Sequence, residues 1–276
     1  MSAFRSLLFA PANRSEVHAK ALAAGADLMC LDLEDAVPEE QKAQARATGV
    51  AFLAEGGTGS TRVLRINALR SAFGVADMDA LLTAAPQSGI LFLPKVQSPG
   101  EVDLAADLLT EAAPGLKLAV LIETGRGLQA AHEILGASDK IAFAMFGGVD
   151  LAADLGVAVA HEPLLYARQR LAHAAALHSV PLLDVPCLAF RDEAAIRQEA
   201  EVAKALGFSG KASLHPAGLA PIHQIFTPSA AEIARARAIV EAYRQSPNGL
   251  AKIDGKLIEK PVVRGAQRII ALAERL

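Results

Sequence analysis

With 276 residues, 52% of them hydrophobic and 21% charged, the chain is large and apolar enough to bury one substantial core, and disorder is excluded. Its net charge of −3, with no block of Lys or Arg, argues against nucleic acid or an anionic membrane as partner.

The apolar stretch before Pro11 is too short for a signal peptide or a membrane span, so a cytoplasmic protein is expected. Short apolar or β-branched runs then recur at residues 6–11, 27–33, 61–67, 89–95, 117–123, 141–147, 181–186 and 210–215. Most are continuous rather than alternating, which is the pattern of parallel strands buried on both faces. Cys30 and Cys187 both lie in apolar runs and read as free buried thiols, without a disulfide framework or a Cys-rich zinc site. Between the strands lie stretches rich in Ala, Leu and Glu that read as helices. Ser98-Pro99-Gly100-Glu101 has the form of a capping box with Pro at the first helical position.

Eight β-then-α units in this length predict a closed (β/α)₈ TIM barrel over residues 1–226, an open doubly wound sheet being the alternative. Residues 227–276 then form a C-terminal helical extension. Ser229-Ala230-Ala231-Glu232 is a second capping box, and Ile233, Ala236, Val240 and Tyr243 share one helical face. Ser246-Pro247-Asn248-Gly249 breaks that helix, and a Gly-containing segment over residues 253–261 leads into a last one. Such an extension covers the barrel mouth, packs on another subunit or seals the barrel bottom.

In this fold the active site lies at the C-terminal ends of the strands. Those ends carry Asp32-Leu33-Glu34-Asp35, Arg65-Ile66-Asn67, Pro94-Lys95, Glu123, Gly147-Gly148-Val149-Asp150, Asp184 and Leu214-His215-Pro216. Glu123 and Asp150 end neighbouring strands, about 4.8 Å apart, so both reach one ion. Two carboxylates with positions left for water suit Mg²⁺, which bonds oxygen at about 2.1 Å. The plainer reading pairs Glu123 with Arg126 and makes Asp150 the cap of a helix starting at Leu151. Arg65 needs a partner in an apolar strand, either the Glu34/Asp35 cluster or an anion whose carboxylate matches its planar fork. Gly147 and Gly148 admit a ligand close to the backbone, and the N–H groups that follow face an anion. Lys95 pairs with a carboxylate or forms a Schiff base, Asp32 caps a helix or holds Lys95, and His215 is a hydrogen-bonded rim histidine.

Leu31-Asp32-Leu33-Glu34-Asp35-Ala36-Val37 with Lys42 and Arg46, Arg65-Ile66-Asn67, Leu93-Pro94-Lys95, Ile122-Glu123-Thr124, Phe146-Gly147-Gly148-Val149-Asp150-Leu151, Gly207-Phe208-Ser209-Gly210-Lys211 and Leu214-His215-Pro216 follow one another in that order. The set resembles the citrate lyase β-subunit family, within the wider group of metal-dependent malyl-CoA lyases and 2-oxo-acid aldolases. The likeness runs over nearly the whole chain, including Phe226-Thr227-Pro228-Ser229 and the tail.

The resemblance implies Mg²⁺ on Glu123 and Asp150, Arg65 on a 2-oxo acid with Glu34 and Asp35 beside it, a CoA thioester as the other ligand, and a homotrimer. Arg14 and Lys20, near the first βα loop, are candidate CoA contacts. Relatives carry a Gly-Lys-Met-Ile-Asp-like segment whose Asp acts as acid/base, often in a neighbouring subunit's site. This chain reads Gly255-Lys256-Leu257-Ile258-Glu259, one methylene longer, which moves the carboxylate by roughly 1.5 Å. The expected activity is Mg²⁺-dependent cleavage of citryl-, malyl- or citramalyl-CoA to acetyl-CoA and a 2-oxo acid. A metal-dependent aldolase on free hydroxy-oxo acids, an acyl-CoA thioesterase and a non-catalytic oxo-acid/CoA-binding subunit are the alternatives.

Overall fold

The computed structural model describes residues 4–57, 59–246 and 250–275. Eight parallel strands close into a barrel: β1 (Ser6–Pro11), β2 (Leu28–Asp32), β3 (Thr61–Arg65), β4 (Ile90–Leu93), β5 (Lys117–Ile122), β6 (Ile141–Phe146), β7 (Leu182–Asp184) and β8 (Gly210–Ser213). Closure comes from β8 pairing with β1, Ser6 opposite Lys211 and Leu8 opposite Ser213. All eight expected strands are present, and a barrel rather than an open sheet results.

The strands read as unbroken apolar runs because each side is buried in a different core. Leu7, Leu28, Cys30, Val63, Phe92, Leu121, Phe143, Met145, Leu183 and Ala212 point into the barrel, while their neighbours Leu8, Met29, Leu31, Leu64 and Ile122 pack beneath the helices. Inside, Phe143 packs against Phe92 at 5.3 Å and receives the edge of Phe4 at 6.0 Å, with small Ala119 and Ala212 nearby. Large and small side chains therefore fill the interior, leaving a plugged floor rather than a pore. Continuing the two-residue alternation past Cys30, Val63 and Leu121 turns Asp32, Arg65 and Glu123 into the barrel mouth.

Local signals set the helix starts. Ser71, Thr124 and Asp192 each accept hydrogen bonds from backbone N–H groups of the first turn they cap. Ser98 does not. Its hydroxyl donates to the Glu101 carboxylate, which also accepts from the Gln97 N–H and Arg70, so the expected capping box is replaced by a carboxylate hub. The Ser229/Glu232 box forms in both directions.

The C-terminal extension comprises helix Ala230–Arg244, an antiparallel hairpin of β9 (Ala251–Ile253) and β10 (Lys256–Ile258), and helix Lys260–Ala273. Two helices joined by a turn were expected; the intervening segment is instead a hairpin. Asp254 and Gly255 both have positive φ, 49° and 75°, as a two-residue primed turn requires, and Asp-Gly is a favoured pair there. The expected break at 246–249 lies largely outside the described residues. Ala236, Ile258, Val263 and Ala266 are buried within the extension. Its start is tied to the N-terminal end of the barrel, where Arg5 donates to Asp27 at 2.7 Å and to Thr227 at 2.9 Å. Among the described residues no helix is long and apolar enough to cross a membrane.

Candidate active site

At the C-terminal end of the barrel lies a cavity of about 530 Å³ whose lining includes Arg14, Asp32, Asp35, Arg65, Glu123, Gly147, Val149 and Asp150. Arg65 is its electrostatic centre. Its Nε and Nη2 donate to the two oxygens of Asp32, each at 2.7 Å, and its Nη1 lies 3.0 Å from Glu34 Oε2 and 3.5 Å from Asp35. The guanidinium also lies over the ring of Phe9. Asp32 in turn accepts the N–H groups of Glu34 and Ala36, fixing the turn after β2. Burial alone would raise the pKa of Asp32, but the Arg65 charge and hydrogen bonds hold it below the usual carboxylate range. Both readings of Asp32 are thereby refined: it organises the turn, and its cationic partner is Arg65 rather than Lys95.

Lys95 follows β4 with φ at +52°, a left-handed conformation that is costly for a residue with a Cβ. That backbone aims its N–H at Glu123 Oε1, 2.8 Å away, while its ammonium reaches Glu34 at 2.5 Å and Asp35 at 3.4 Å. Burial opposes the charge on Lys95, yet Glu34, Asp35 and Glu123 overcome it and raise its pKa. Of the two readings of this lysine, the geometry shows the carboxylate pairing.

Glu123 is 1% exposed and does not pair with Arg126, whose side chain is on the surface. Its pKa is pushed up to about 8, first by burial, then by Glu34 and Asp150, against the pull of Arg65 and Lys95. Asp150 lies in the first turn of helix Gly148–Leu155, with Gly147 at the cap position, so it is not the helix cap. At Gly147 a Cβ would fall 2.3 Å from the Glu123 Cβ and 2.9 Å from its Oε2, so only glycine leaves this space open. A buried carboxyl without enough positive charge, a second carboxylate beside it and an open cradle between them fit a hard divalent cation. Among the described residues no three His, Cys, Asp or Glu side chains converge to hold a metal alone. An ion here would therefore keep positions for water or substrate oxygens, as Mg²⁺ does.

The first backbone bond of that helix runs from the Leu151 N–H to the Gly147 carbonyl, leaving the N–H groups of Gly148, Val149 and Asp150 at the mouth. Of the other sequence-derived candidates, Arg14 stands at the lip, paired with Glu16, while Lys20 is exposed on helix Ser15–Leu22 and does not line the cavity. Glu259 is exposed at the start of helix Lys260–Ala273 and is absent from the lining. Asp184, expected on the rim, faces outward because Leu183 faces in; it is buried against Arg168 and Lys211. His215 accepts the Ala217 N–H, a local capping role.

Two features had no role assigned from the sequence, the first built on Lys42, Arg46 and Asn67 of the motif set. Lys42 is buried and donates to the carbonyls of Leu33 and Glu34 and to Asn67, which is held by Asp77 and through it by Arg46. The acidic turn is thus braced from the helix layer. The second is an apolar wall of Phe9, Leu121, Met145, Val185, Pro186, Leu188 and Leu214. Strand parity predicts most of it, since these residues lie two or four positions from others that point inward.

The fold and the site together define a closed parallel barrel with an acidic pocket at the C-terminal ends of its strands. The model for the HpcH/HpaI aldolase/citrate lyase family matches residues 5–216, and the chain belongs to that family. It is 35% identical, over 97% of this chain and 96% of the other, to a citrate lyase subunit beta-like protein of Deinococcus radiodurans. It is 32% identical to a (3S)-malyl-CoA thioesterase of Cereibacter sphaeroides, over 99% and 95% of the two chains. A crystal structure of CitE from Mycobacterium tuberculosis with magnesium, acetoacetate and coenzyme A superposes with a TM-score of 0.82 at 32% identity, covering 99% of this chain and 98% of that one.

Proposed function

We propose that this protein is a Mg²⁺-dependent carbon–carbon lyase that cleaves a 3-hydroxyacyl-CoA to acetyl-CoA and a 2-oxo acid. The observation that carries the reading is the Glu123–Asp150 pair beside Arg65 in one cavity at the strand ends. Magnesium and coenzyme A in the Mycobacterium relative support the choice of ion and thioester.

Glu123 and Asp150 would hold Mg²⁺, which when bound supplies Lewis-acid stabilisation of negative charge developing on the substrate. The N–H groups of Gly148 and Val149 receive the substrate carboxylate at the helix N-terminus. Arg65, locked by Asp32 and flanked by Glu34 and Asp35, orients the carbinol and takes up charge as the C–C bond breaks. Burial raises the Glu34 pKa, Arg65 and Lys95 oppose that rise, and the Lys95 ammonium holds the carboxylate in place. The apolar wall limits water around the thioester enolate until a proton reaches it. Arg14 at the lip, with Lys20 beyond it, attracts the CoA phosphates.

Removal of the hydroxyl proton falls to Glu259 of a second copy, because this chain's own Glu259 does not line its own cavity. Residues 227–276 then act as an appended unit serving a neighbour, in a homotrimer.

Glu123→Ala is expected to abolish Mg²⁺-dependent acetyl-CoA release across a panel of CoA thioesters, with an unchanged circular dichroism spectrum. Metal-dependent turnover retained in that variant excludes the assignment. The Cereibacter relative favours one second reading, thioester hydrolysis. Free CoA rather than acetyl-CoA as the first product would select it.

A further inference from the structure

At the end of the barrel opposite the acidic mouth, two histidines meet between helices. His178 is the last residue of helix His161–His178, and the chain turns at Ser179, with φ at 58°, before entering β7. His132 lies in the first turn of helix Ala131–Gly136, which leads into β6. His178 lines a cavity of about 510 Å³ together with Lys117, Ile141 and Pro181, at the N-terminal ends of β5, β6 and β7. Glu123 and Asp150 open onto the other end.

His178 Nε2 and His132 Nδ1 are 2.9 Å apart, with the ring planes inclined at 32°. Two ring nitrogens facing each other at this distance hold one proton between them. The same lone pairs are what a borderline transition-metal ion takes from neutral imidazole. The close approach is built into the fold. At Gly136 a Cβ would fall 2.6 Å from His178 Cε1 and 3.2 Å from each of its ring nitrogens, so glycine is what lets this ring lie against the shorter helix. Ser138 and Asp139 border the same cavity, which gives room for water or a small anion. Among the described residues no third His, Cys, Asp or Glu converges on the pair, so further ligands of an ion come from solvent.

The spacing selects among ions. Two nitrogens, each about 2.0–2.1 Å from one ion and 2.9 Å from each other, subtend about 90° at it. That is the cis angle of a tetragonal centre, whereas a tetrahedral one spreads two nitrogens to roughly 3.3 Å. Tetragonal nitrogen and oxygen coordination is the preference of Cu²⁺ and Ni²⁺, and Cu²⁺ is the tighter for a given ligand set. Mg²⁺ takes oxygen ligands and has none here.

We infer that His132 and His178 form a second metal site, chemically and spatially separate from the barrel mouth, that takes Cu²⁺ and, more weakly, Ni²⁺. The ion clasps helix Ala131–Gly136 to helix His161–His178 in place of the shared proton.

Calorimetric titration of Cu²⁺ into the Mg²⁺-loaded protein, with electron paramagnetic resonance to count bound nitrogens, tests the site. One equivalent is expected to bind through two imidazole nitrogens. His132→Ala and His178→Ala should each weaken it at least about tenfold, and the double variant by far less than the product of the two losses. Gly136→Ala keeps both ligands but displaces one ring, and should weaken Cu²⁺ by about tenfold as well. His173→Ala removes an exposed histidine of the same helix outside the pair and should bind as wild type does. Cu²⁺ is also expected to raise the melting temperature of the wild type and not of the double variant. Wild-type affinity in both single variants overturns the inference and leaves the pair as a hydrogen-bonded tie between helices. A loss in His173→Ala as large as in His178→Ala overturns it too, since it marks adventitious binding by scattered surface histidines. None of these readouts depends on the lyase chemistry.

Discussion

Glu123 holds its proton to about pH 8 in the metal-free protein, because burial, Glu34 and Asp150 all penalise the carboxylate more than Arg65 and Lys95 favour it. A hard cation binds only the carboxylate, so its entry must expel that proton. Apparent Mg²⁺ affinity is therefore expected to fall about tenfold per pH unit below 8, with close to one proton released on binding at pH 7. Titrations in buffers of different ionisation enthalpy measure both, and an affinity flat between pH 6 and 8 would contradict the assignment. The same carboxyl group sets a sign for stability. Its folded pKa is raised above the ordinary carboxylate range, so the stability it contributes is present below that range and lost as pH rises through about 8. Glu123→Gln removes the titrating group, so without metal it should raise the melting temperature at pH 8.5 more than at pH 5. At this scale the residue types were legible in the sequence, but several partners were not. Arg65 was expected to meet the Glu34/Asp35 cluster or an anion, and it does lie beside both acids. Its bidentate partner is Asp32, because Asp32 and Arg65 lie opposite each other in the β2–β3 register and both point inward.

Elements position these groups through close approach and capping. Helix Gly148–Leu155 can bring Asp150 toward Glu123 only while residue 147 has no side chain. Gly147→Ala is expected to weaken Mg²⁺ binding by about tenfold or more, because a shift of even a fraction of an ångström degrades an octahedral site. Wild-type affinity in that variant would show that the contact relaxes harmlessly. At the extension, Ser229→Ala removes half of a formed capping box and should cost about 1 kcal/mol in urea denaturation, with no effect on the barrel site. Ser98→Ala tests the contrast: its hydroxyl caps nothing, so a loss as large as that of Ser229→Ala would refute the distinction. Both serines carry the same sequence signature. Glu101 is drawn away from the cap by Arg70 and the Gln97 N–H, contacts that no local pattern contains. The hairpin, by contrast, is written in Asp254-Gly255, but its strands are only three residues long and offer little alternation to read.

For the molecule as a whole, closure is the costly step, because β1 and β8 are separated by nearly the full length of the barrel sequence and must still pair. At the seam, a Cβ on Gly210 would lie 2.5 Å from the carbonyl oxygens of both Phe4 and Arg5, and backbone cannot move aside as a flexible side chain can. Gly210→Ala is expected to destabilise the protein by about 1–3 kcal/mol, measured by urea denaturation, through overpacking at the seam. A neutral result would mean that the N-terminal strand shifts freely. The sequence by itself determined the eight strands, their burial on both faces and the polar groups at their ends, because those follow from local periodicity and from the chain order of β and α units. It also carried the family likeness. Tertiary structure alone decided which of those ends look inward. Asp32, Arg65 and Glu123 enter the mouth while Asp184 turns to the helix layer. Tertiary structure also placed Glu259 away from its own chain's cavity and assembled an apolar arc from residues spread between Phe9 and Leu214. Those outcomes depend on the phase of each strand's two-residue alternation and on which distant segments share a face, and a linear pattern does not encode either.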